Sequence, residues 1–122
     1  CQVVSNHLKP GGRFIGFNDN PHNEPQHYAN YRKYGFVKET TEHRKEGDFV
    51  KYRMFNPDGT EFSFDNFYFD PQTYASAFAK AGLQDFTWQA PVLHPEQHHP
   101  DKFAYWEDFM SHPPLIGFSA VK

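Results

Sequence analysis

The strongest constraint on the fold is a chain reversal near the start of the sequence. Apolar residues recur at helical spacing over residues 2–8, which predicts a short helix there. Pro10 cannot continue that helix, and the two glycines after it permit a sharp turn. Residues 13–17 come next as Arg-Phe-Ile-Gly-Phe, a run rich in strand-forming residues. A helix, a Pro-Gly-Gly turn and a strand make an α/β crossover unit, which usually belongs to a parallel sheet.

The rest of the chain alternates between predicted strands and helices. Strands are predicted over 36–41, 49–55, 61–69, 85–90 and 115–121, and helices over 25–34, 71–82 and 103–110. The Asn-Pro-Asp-Gly run at 56–59 is typical of a type I turn followed by a left-handed glycine, so it predicts a hairpin. Aromatic rings change faces near Asp65 and Asn66, which predicts a β-bulge or a strand with rings on both faces.

Composition argues against several classes of function. The formal charge of −3 argues against a nucleic-acid partner, because phosphate binding needs a basic surface. No apolar run approaches the length of a membrane span, so no membrane partner is expected. The single cysteine, Cys1, cannot form an internal disulfide, and we expect a cytoplasmic protein. Aromatic residues make up 19% of the chain, which suits an aromatic core or a pocket for a flat organic molecule.

Three segments carry a resemblance to a known family. They are residues 8–17 (Leu-Lys-Pro-Gly-Gly-Arg-Phe-Ile-Gly-Phe), residues 78–83 (Phe-Ala-Lys-Ala-Gly-Leu) and the last predicted strand, 115–121. In this order they resemble the C-terminal part of a class I S-adenosylmethionine (SAM) methyltransferase, from the turn into its fifth strand to its seventh strand. The Phe-Asn-Asp-Asn run at 17–20 and the Phe-rich strand 61–69 look like small-molecule methyltransferases such as the toxoflavin-biosynthesis type.

The resemblance implies an α/β fold made of the C-terminal portion of a Rossmann-like methyltransferase sheet. That portion holds the fifth, sixth and seventh strands, with the last antiparallel to the rest. Residues 1–122 are then a single partial domain, and residues 18–70 are a substrate-side insertion that contains a β-hairpin lid. The family binds SAM with a Gly-rich loop after its first strand, and no such motif occurs here. We therefore expect the N-terminal cofactor-binding half to be absent and this chain alone to bind no cofactor, whereas the full-length parent uses SAM.

Polar side chains directly after the strand 13–17 form the candidate site. In open α/β sheets, ligands lie outside the carboxyl ends of the strands. Methyl transfer is an in-line displacement in which the enzyme aligns the nucleophile and a base removes a proton where one is needed. The catalytic candidates are Asp19 and His22, the latter because imidazole titrates near neutrality. The substrate-binding candidates are Asn18, Asn20, His27, Tyr28, Tyr31, Asn66 and Tyr68.

Each candidate also has a plainer interpretation. Asp19 and its neighbours suit the capping of a loop, the two histidines suit a solvated loop, and the tyrosines suit a core. The histidine-rich run 94–99 is bounded by prolines without a helical or hairpin frame, so it predicts an exposed loop and no metal site.

Two functions are compatible with these observations. The first is the substrate-facing portion of a SAM-dependent methyltransferase that acts on a small-molecule methyl acceptor and is inactive by itself. The second is a non-catalytic α/β module for binding or dimerisation. Without a fourth strand, the strand 13–17 is left as an unpaired edge, which favours self-association of the chain under either function.

Overall fold

All 122 residues are described by a computed structural model, in which two three-stranded sheets combine with helices in a mixed α/β fold. In chain order the elements are α1 (Gln2–His7), β1 (Arg13–Asp19), a 3-10 helix (Pro25–Tyr34), β2 (Phe36–Glu39), β3 (Phe49–Phe55), β4 (Glu61–Phe67), α2 (Pro71–Lys80), β5 (Gln84–Gln89), a 3-10 turn (Pro95–Gln97), α3 (Pro100–Ser111) and β6 (Leu115–Val121). The prediction that the chain mixes helices and strands is confirmed, and all strand pairs of both sheets are antiparallel. None of the helices is long and apolar enough to cross a membrane.

The first sheet has the strand order β1-β6-β5, and β6 runs antiparallel to both neighbours. The crossover unit at the start of the chain predicts a parallel sheet, but β1 pairs only with the last strand of the chain and in the antiparallel direction. β1 and β5 run in the same direction without touching because β6 lies between them. β1 is therefore an edge strand, as the unpaired-edge interpretation expects.

One face of this sheet is covered by α2 through a cluster of aromatic rings. Phe78 of α2 stacks on Phe14 of β1 at 5.9 Å and meets Phe86 of β5 at 4.5 Å. Phe118 of β6 joins them edge-on, 5.3 Å from Phe14. A Cβ atom at Gly16 would lie 2.5 Å from the Phe118 ring, so a glycine is required where that ring crosses β1.

The opposite face of the first sheet is open. Ile15 and Phe17, two alternate residues of β1, are 62% and 79% exposed. Apolar side chains of this size are usually buried, so the open face next to the free edge of β1 is a candidate contact surface.

The second sheet has the order β2-β3-β4, and all its pairs are antiparallel. The predicted hairpin is present, with Gly59 in the left-handed region at φ +84°. Pairing of β3 with β4 runs without interruption from Phe49 opposite Phe67 to Phe55 opposite Glu61. The prediction of a bulge is wrong, and its alternative holds: β4 carries rings on both faces of a regular strand.

The inner face of the second sheet packs on the 3-10 helix. Three tyrosines recur every third residue along that helix, and a 3-10 helix has three residues per turn, so they lie in one line. Tyr28 and Tyr31 join Phe36, Val50 and Tyr52 in a buried cluster that forms the core of this half.

Candidate functional site

A buried ion pair lies at the carboxyl end of β1, where the two sheets meet. Asp19 ends β1, and the Lys38 ammonium of β2 lies 2.6 Å from its Oδ1 atom. The Lys38 side chain is 0% exposed and the Asp19 side chain is 4% exposed. The hydroxyl of Tyr52, on β3, donates to the same Oδ1 at 2.5 Å. One carboxylate oxygen therefore joins β1 to two strands of the second sheet.

Further contacts stabilise the positive charge of the Lys38 ammonium. It donates to Asn23 Oδ1 at 3.1 Å and to the Pro114 carbonyl at 3.5 Å. It also lies 4.2 Å from the centre of the Tyr28 ring, where a cation is attracted to the π electrons. Burial lowers the pKa of Lys38 to about 8, and the neighbouring Asp19 carboxylate opposes that effect. The residue stays cationic at neutral pH because every polar partner of the ammonium is an acceptor.

The tyrosine hydroxyls of this cluster are hydrogen-bonded in different ways, because that of Tyr52 donates to Asp19 and that of Tyr28 accepts from Arg44. Burial raises the pKa of Tyr28 and that of Tyr31 to about 12. Burial and the adjacent Asp19 charge also raise the pKa of Tyr52. All three phenols therefore keep their protons near neutrality, and Tyr52 can hold the carboxylate by donating to it.

The loop after β1 is fixed by backbone carbonyls that precede β6. Asn20 donates from Nδ2 to the Pro113 carbonyl at 2.8 Å. Asn23 and the Tyr31 hydroxyl both donate to the carbonyl of His112. The amide side chains of this loop are therefore already hydrogen-bonded to the segment that leads into β6 of the first sheet.

A groove of about 340 Å³ opens beside the ion pair, between the end of β1 and the inner face of the second sheet. Its apolar lining consists of Phe17, Phe36, Tyr52, Met54, Phe64 and Leu115, and its polar lining consists of Asn18, Asp19 and Asn66. The rings of Tyr52 and Phe64 are stacked 5.1 Å apart at an interplanar angle of 2°. Phe36 continues the stack, 5.8 Å from Tyr52. Three strands thus contribute rings to one aromatic wall in which the rings are stacked on one another, and the half-exposed Phe64 ends the stack, where a planar ligand could extend it.

Three of the predicted site residues meet in this groove. The first is Asp19, which is also the acidic member of the buried ion pair. Asn18 lines the groove while its Nδ2 donates to the Tyr74 hydroxyl at 2.5 Å. Asn66 lines it from β4, and its amide oxygen accepts the Phe67 N–H at 3.0 Å.

The predicted histidines lie outside the groove lining. His22 is exposed, and its ring lies 6.1 Å from that of Trp88, in an edge-on arrangement. His27 stacks on the ring of His112 at 3.5 Å. The structure therefore places neither imidazole beside the Asp19 carboxylate.

The remaining predicted residues have structural contacts of their own. Asn20 fixes the loop after β1, and Tyr28 and Tyr31 belong to the buried core. Tyr68 donates from its hydroxyl to Asp70 at 2.7 Å, and the guanidinium of Arg44 lies 3.8 Å from its ring centre. These four residues surround or support the site without lining the groove.

Sequence reasoning missed Lys38, Tyr52 and the aromatic wall. One signal for Lys38 was available. β2 alternates, so Lys38 shares a strand face with the apolar Phe36. A lone charge on an apolar strand face needs a buried partner of opposite sign, and Asp19 provides it.

The Pro-Gly-Gly turn does not supply the Gly-rich loop that the resemblance implies for SAM binding. A SAM site needs free backbone amides in a Gly-rich loop. Here the N–H of Gly11 donates to the Lys122 carbonyl at 2.6 Å, and that of Gly12 donates to the Lys9 carbonyl at 2.8 Å. Both glycines also lie at the amino end of β1, opposite Asp19. No group of three or more His, Cys, Asp or Glu side chains is arranged to hold a metal ion.

No model of a known protein family and no curated protein matches this chain. What the site can do is therefore argued from its residues alone. They form a wall of stacked aromatic rings beside a buried, rigidly held carboxylate.

Proposed function

We propose that this chain is the substrate-facing C-terminal portion of a SAM-dependent methyltransferase that acts on a small molecule, and that it is inactive by itself. The observation that carries the proposal is the groove. It lies at the carboxyl end of β1, where ligands bind in open α/β sheets, and it combines an aromatic wall with the Asp19 carboxylate.

The topology of the first sheet supports the same proposal. The Pro-Gly-Gly turn leads into β1, and the final strand β6 runs antiparallel to its neighbours. An antiparallel last strand is what the resemblance implies for the seventh strand of the family. The second sheet takes the place of the substrate-side insertion within residues 18–70, and its inner face forms the aromatic wall.

The residues of the groove would bind and orient the methyl acceptor. A planar ring would stack on Phe64 at the end of the aromatic stack, and its nucleophilic O–H or N–H would donate to Asp19. Because Lys38 and Tyr52 hold that carboxylate in place, the nucleophile is aligned without reorganisation of the site. The carboxylate can also receive the proton that the nucleophile loses. SAM, bound by the rest of the parent protein, would supply the methyl group.

The experiment measures methyl transfer from SAM to a series of hydroxylated and aminated aromatic compounds by the parent protein. Phe64→Ala is compared with Phe67→Ala, a matched control on the same strand. The two rings are similarly exposed, at 49% and 52%, but they lie on opposite faces of β4. We expect Phe64→Ala to raise the KM for the acceptor several-fold and Phe67→Ala to leave it unchanged.

The possible outcomes separate the parts of this proposal. Absence of SAM-dependent methyl transfer to any member of the series would refute the function. Equal effects of the two variants would place the acceptor away from the groove. Calorimetry on this chain alone should show no SAM binding, and micromolar affinity would contradict the assignment of the cofactor site to the missing half.

A second function, a non-catalytic module for binding or dimerisation, is favoured by one observation. β1 is an edge strand whose outer backbone groups are unpaired, and Ile15 and Phe17 are exposed beside it. Sedimentation over a concentration series tests it, with Ile15→Lys as the variant that places a charge on the open face. A chain that stays monomeric at high concentration would exclude dimerisation.

A further inference from the structure

We infer that the groove selects flat aromatic compounds that carry a hydrogen-bond donor and no negative charge, and that it discriminates against aryl carboxylates and phosphates. The inference rests on the proposed function, because it names the class of acceptor for the same groove. Three features of the lining carry it: the sign of its charge, the state of its amides and the shape of its wall.

The charge that faces the groove is negative. Asp19 is the one acidic side chain of the lining, and no Lys, Arg or His lines the groove. The balancing ammonium of Lys38 has no exposed surface, so it cannot contact a ligand. An anionic ligand would therefore be repelled directly by the Asp19 carboxylate, and the attracting Lys38 ammonium would lie behind that carboxylate.

The amides of the lining offer little to an anion. Asn18 already donates one of its two Nδ2 hydrogens to Tyr74. The oxygen of the Asn66 amide accepts the Phe67 N–H, which leaves the amide nitrogen of Asn66 to donate. Two neutral amide groups cannot replace the hydration shell of a carboxylate or phosphate, whereas such a donor suits a ring nitrogen or carbonyl oxygen.

A hydrogen-bond donor on the ligand, unlike a negative charge, is attracted by the Asp19 carboxylate. An O–H or N–H directed at Asp19 would form a charge-assisted hydrogen bond, which is stronger than one between neutral groups. The carboxylate is held by Lys38 and Tyr52, so little freedom remains to be lost when the ligand binds. Phe64 ends the stack of Phe36, Tyr52 and Phe64 and is half exposed, so a flat ring can extend the stack there, whereas a puckered ring would contact Phe64 at fewer atoms.

Three probes with the same ring system separate these features. 2-Naphthol carries a donor and is uncharged near neutral pH, 2-methoxynaphthalene lacks the donor, and 2-naphthoate carries a negative charge. Binding is followed by NMR of the methionine methyl groups in the chain. Met54 lines the groove, and Met110, in α3, does not line it and reports any non-specific effect.

We expect 2-naphthol to shift the Met54 signal and to bind about tenfold or more tightly than either other probe, the size of effect that a hydrogen bond to a charged group produces. In Asp19→Asn the preference for 2-naphthol over 2-naphthoate should shrink. The double variant Asp19→Asn/Lys38→Met gives the same test with the buried charges balanced if the single variant does not fold.

Each result decides a different point. If 2-naphthoate binds as tightly as 2-naphthol, the charge selectivity is refuted while the groove remains a binding site. If 2-methoxynaphthalene binds as tightly, the requirement for a donor is refuted. If no probe shifts Met54 at any concentration, the groove does not bind flat aromatic rings, and the proposed function fails with the inference.

Discussion

Replacement of Lys38 by methionine tests the energetic role of the buried ion pair. Methionine retains the volume of the apolar stem, so the cavity contribution is small and the loss is mainly electrostatic. The substitution leaves the Asp19 carboxylate buried with Tyr52 as its remaining donor, and it removes the donor to Asn23 Oδ1. Removing one partner of a buried pair costs about 3–5 kcal/mol. We expect Lys38→Met to lower the free energy of unfolding by about 3 kcal/mol, because the hydrogen bond from Tyr52 still compensates part of the charge.

Urea denaturation followed by circular dichroism measures this loss, and a surface pair provides the control. Lys33 lies 2.7 Å from Asp108 with both side chains well exposed, at 38% and 47%. Lys33→Met should therefore cost less than about 1 kcal/mol. The double variant Lys38→Met/Asp19→Asn removes the unpaired charge and should be more stable than Lys38→Met alone. The reasoning is refuted if Lys38→Met costs no more than Lys33→Met, or if the double variant recovers nothing.

Three further predictions rest on the contacts described above. Because the pKa of Lys38 falls from 10.5 to about 8 on folding, the unfolded chain binds more protons between these values. The contribution of Lys38 to the free energy of unfolding should therefore become more favourable from about pH 8 to about pH 10. It is measured as the difference in the free energy of unfolding between the wild type and Lys38→Met at each pH, and a difference that stays constant would contradict the prediction. Gly16→Ala should cost about 1–3 kcal/mol in thermal or urea unfolding, because its Cβ would lie 2.5 Å from the Phe118 ring, and Gly16→Ala/Phe118→Leu should recover part of the loss. Tyr52→Phe should lower the free energy of unfolding by about 1.5–3 kcal/mol, because it removes a buried hydrogen bond to a charged group. Tyr105→Phe should lower it by less than about 1 kcal/mol, because the Tyr105 hydroxyl donates to the backbone carbonyl of Lys33 at an exposed site. Equal losses would show that burial is not the cause.

The local elements of this fold could be predicted from the sequence because local chemistry determines them. The Pro-Gly-Gly turn and the 56–59 hairpin turn each place residues with restricted or permissive backbones at a boundary between elements. Strand pairing is different. The partner of β1 is β6, about a hundred residues later, so no local pattern indicated that the crossover leads to antiparallel pairs.

Of the residues that form the buried ion pair, only the one that belongs to the first sheet was predicted from the sequence. Asp19 was identified because it lies just past the end of a predicted strand, which is a property of its own segment. Lys38 and Tyr52 become site residues only when the second sheet packs against that end, and this contact is tertiary. Tyr28 and Tyr31 were assigned to substrate because regularly spaced rings suit a ligand as well as a core, and the structure places them in the core.

The three-residue period of the 3-10 helix restricts how this segment can change in length. With three residues per turn, every inserted residue rotates the later side chains by about a third of a turn, and three inserted residues restore the original direction, which no insertion of three does in a helix with 3.6 residues per turn. One extra residue directly after Tyr28 would turn the later tyrosines away from the sheet and direct Asn30 and Lys33 toward it. Three extra residues would add one full turn and keep the line of rings intact. Tolerated length variation in this segment should therefore occur in multiples of three.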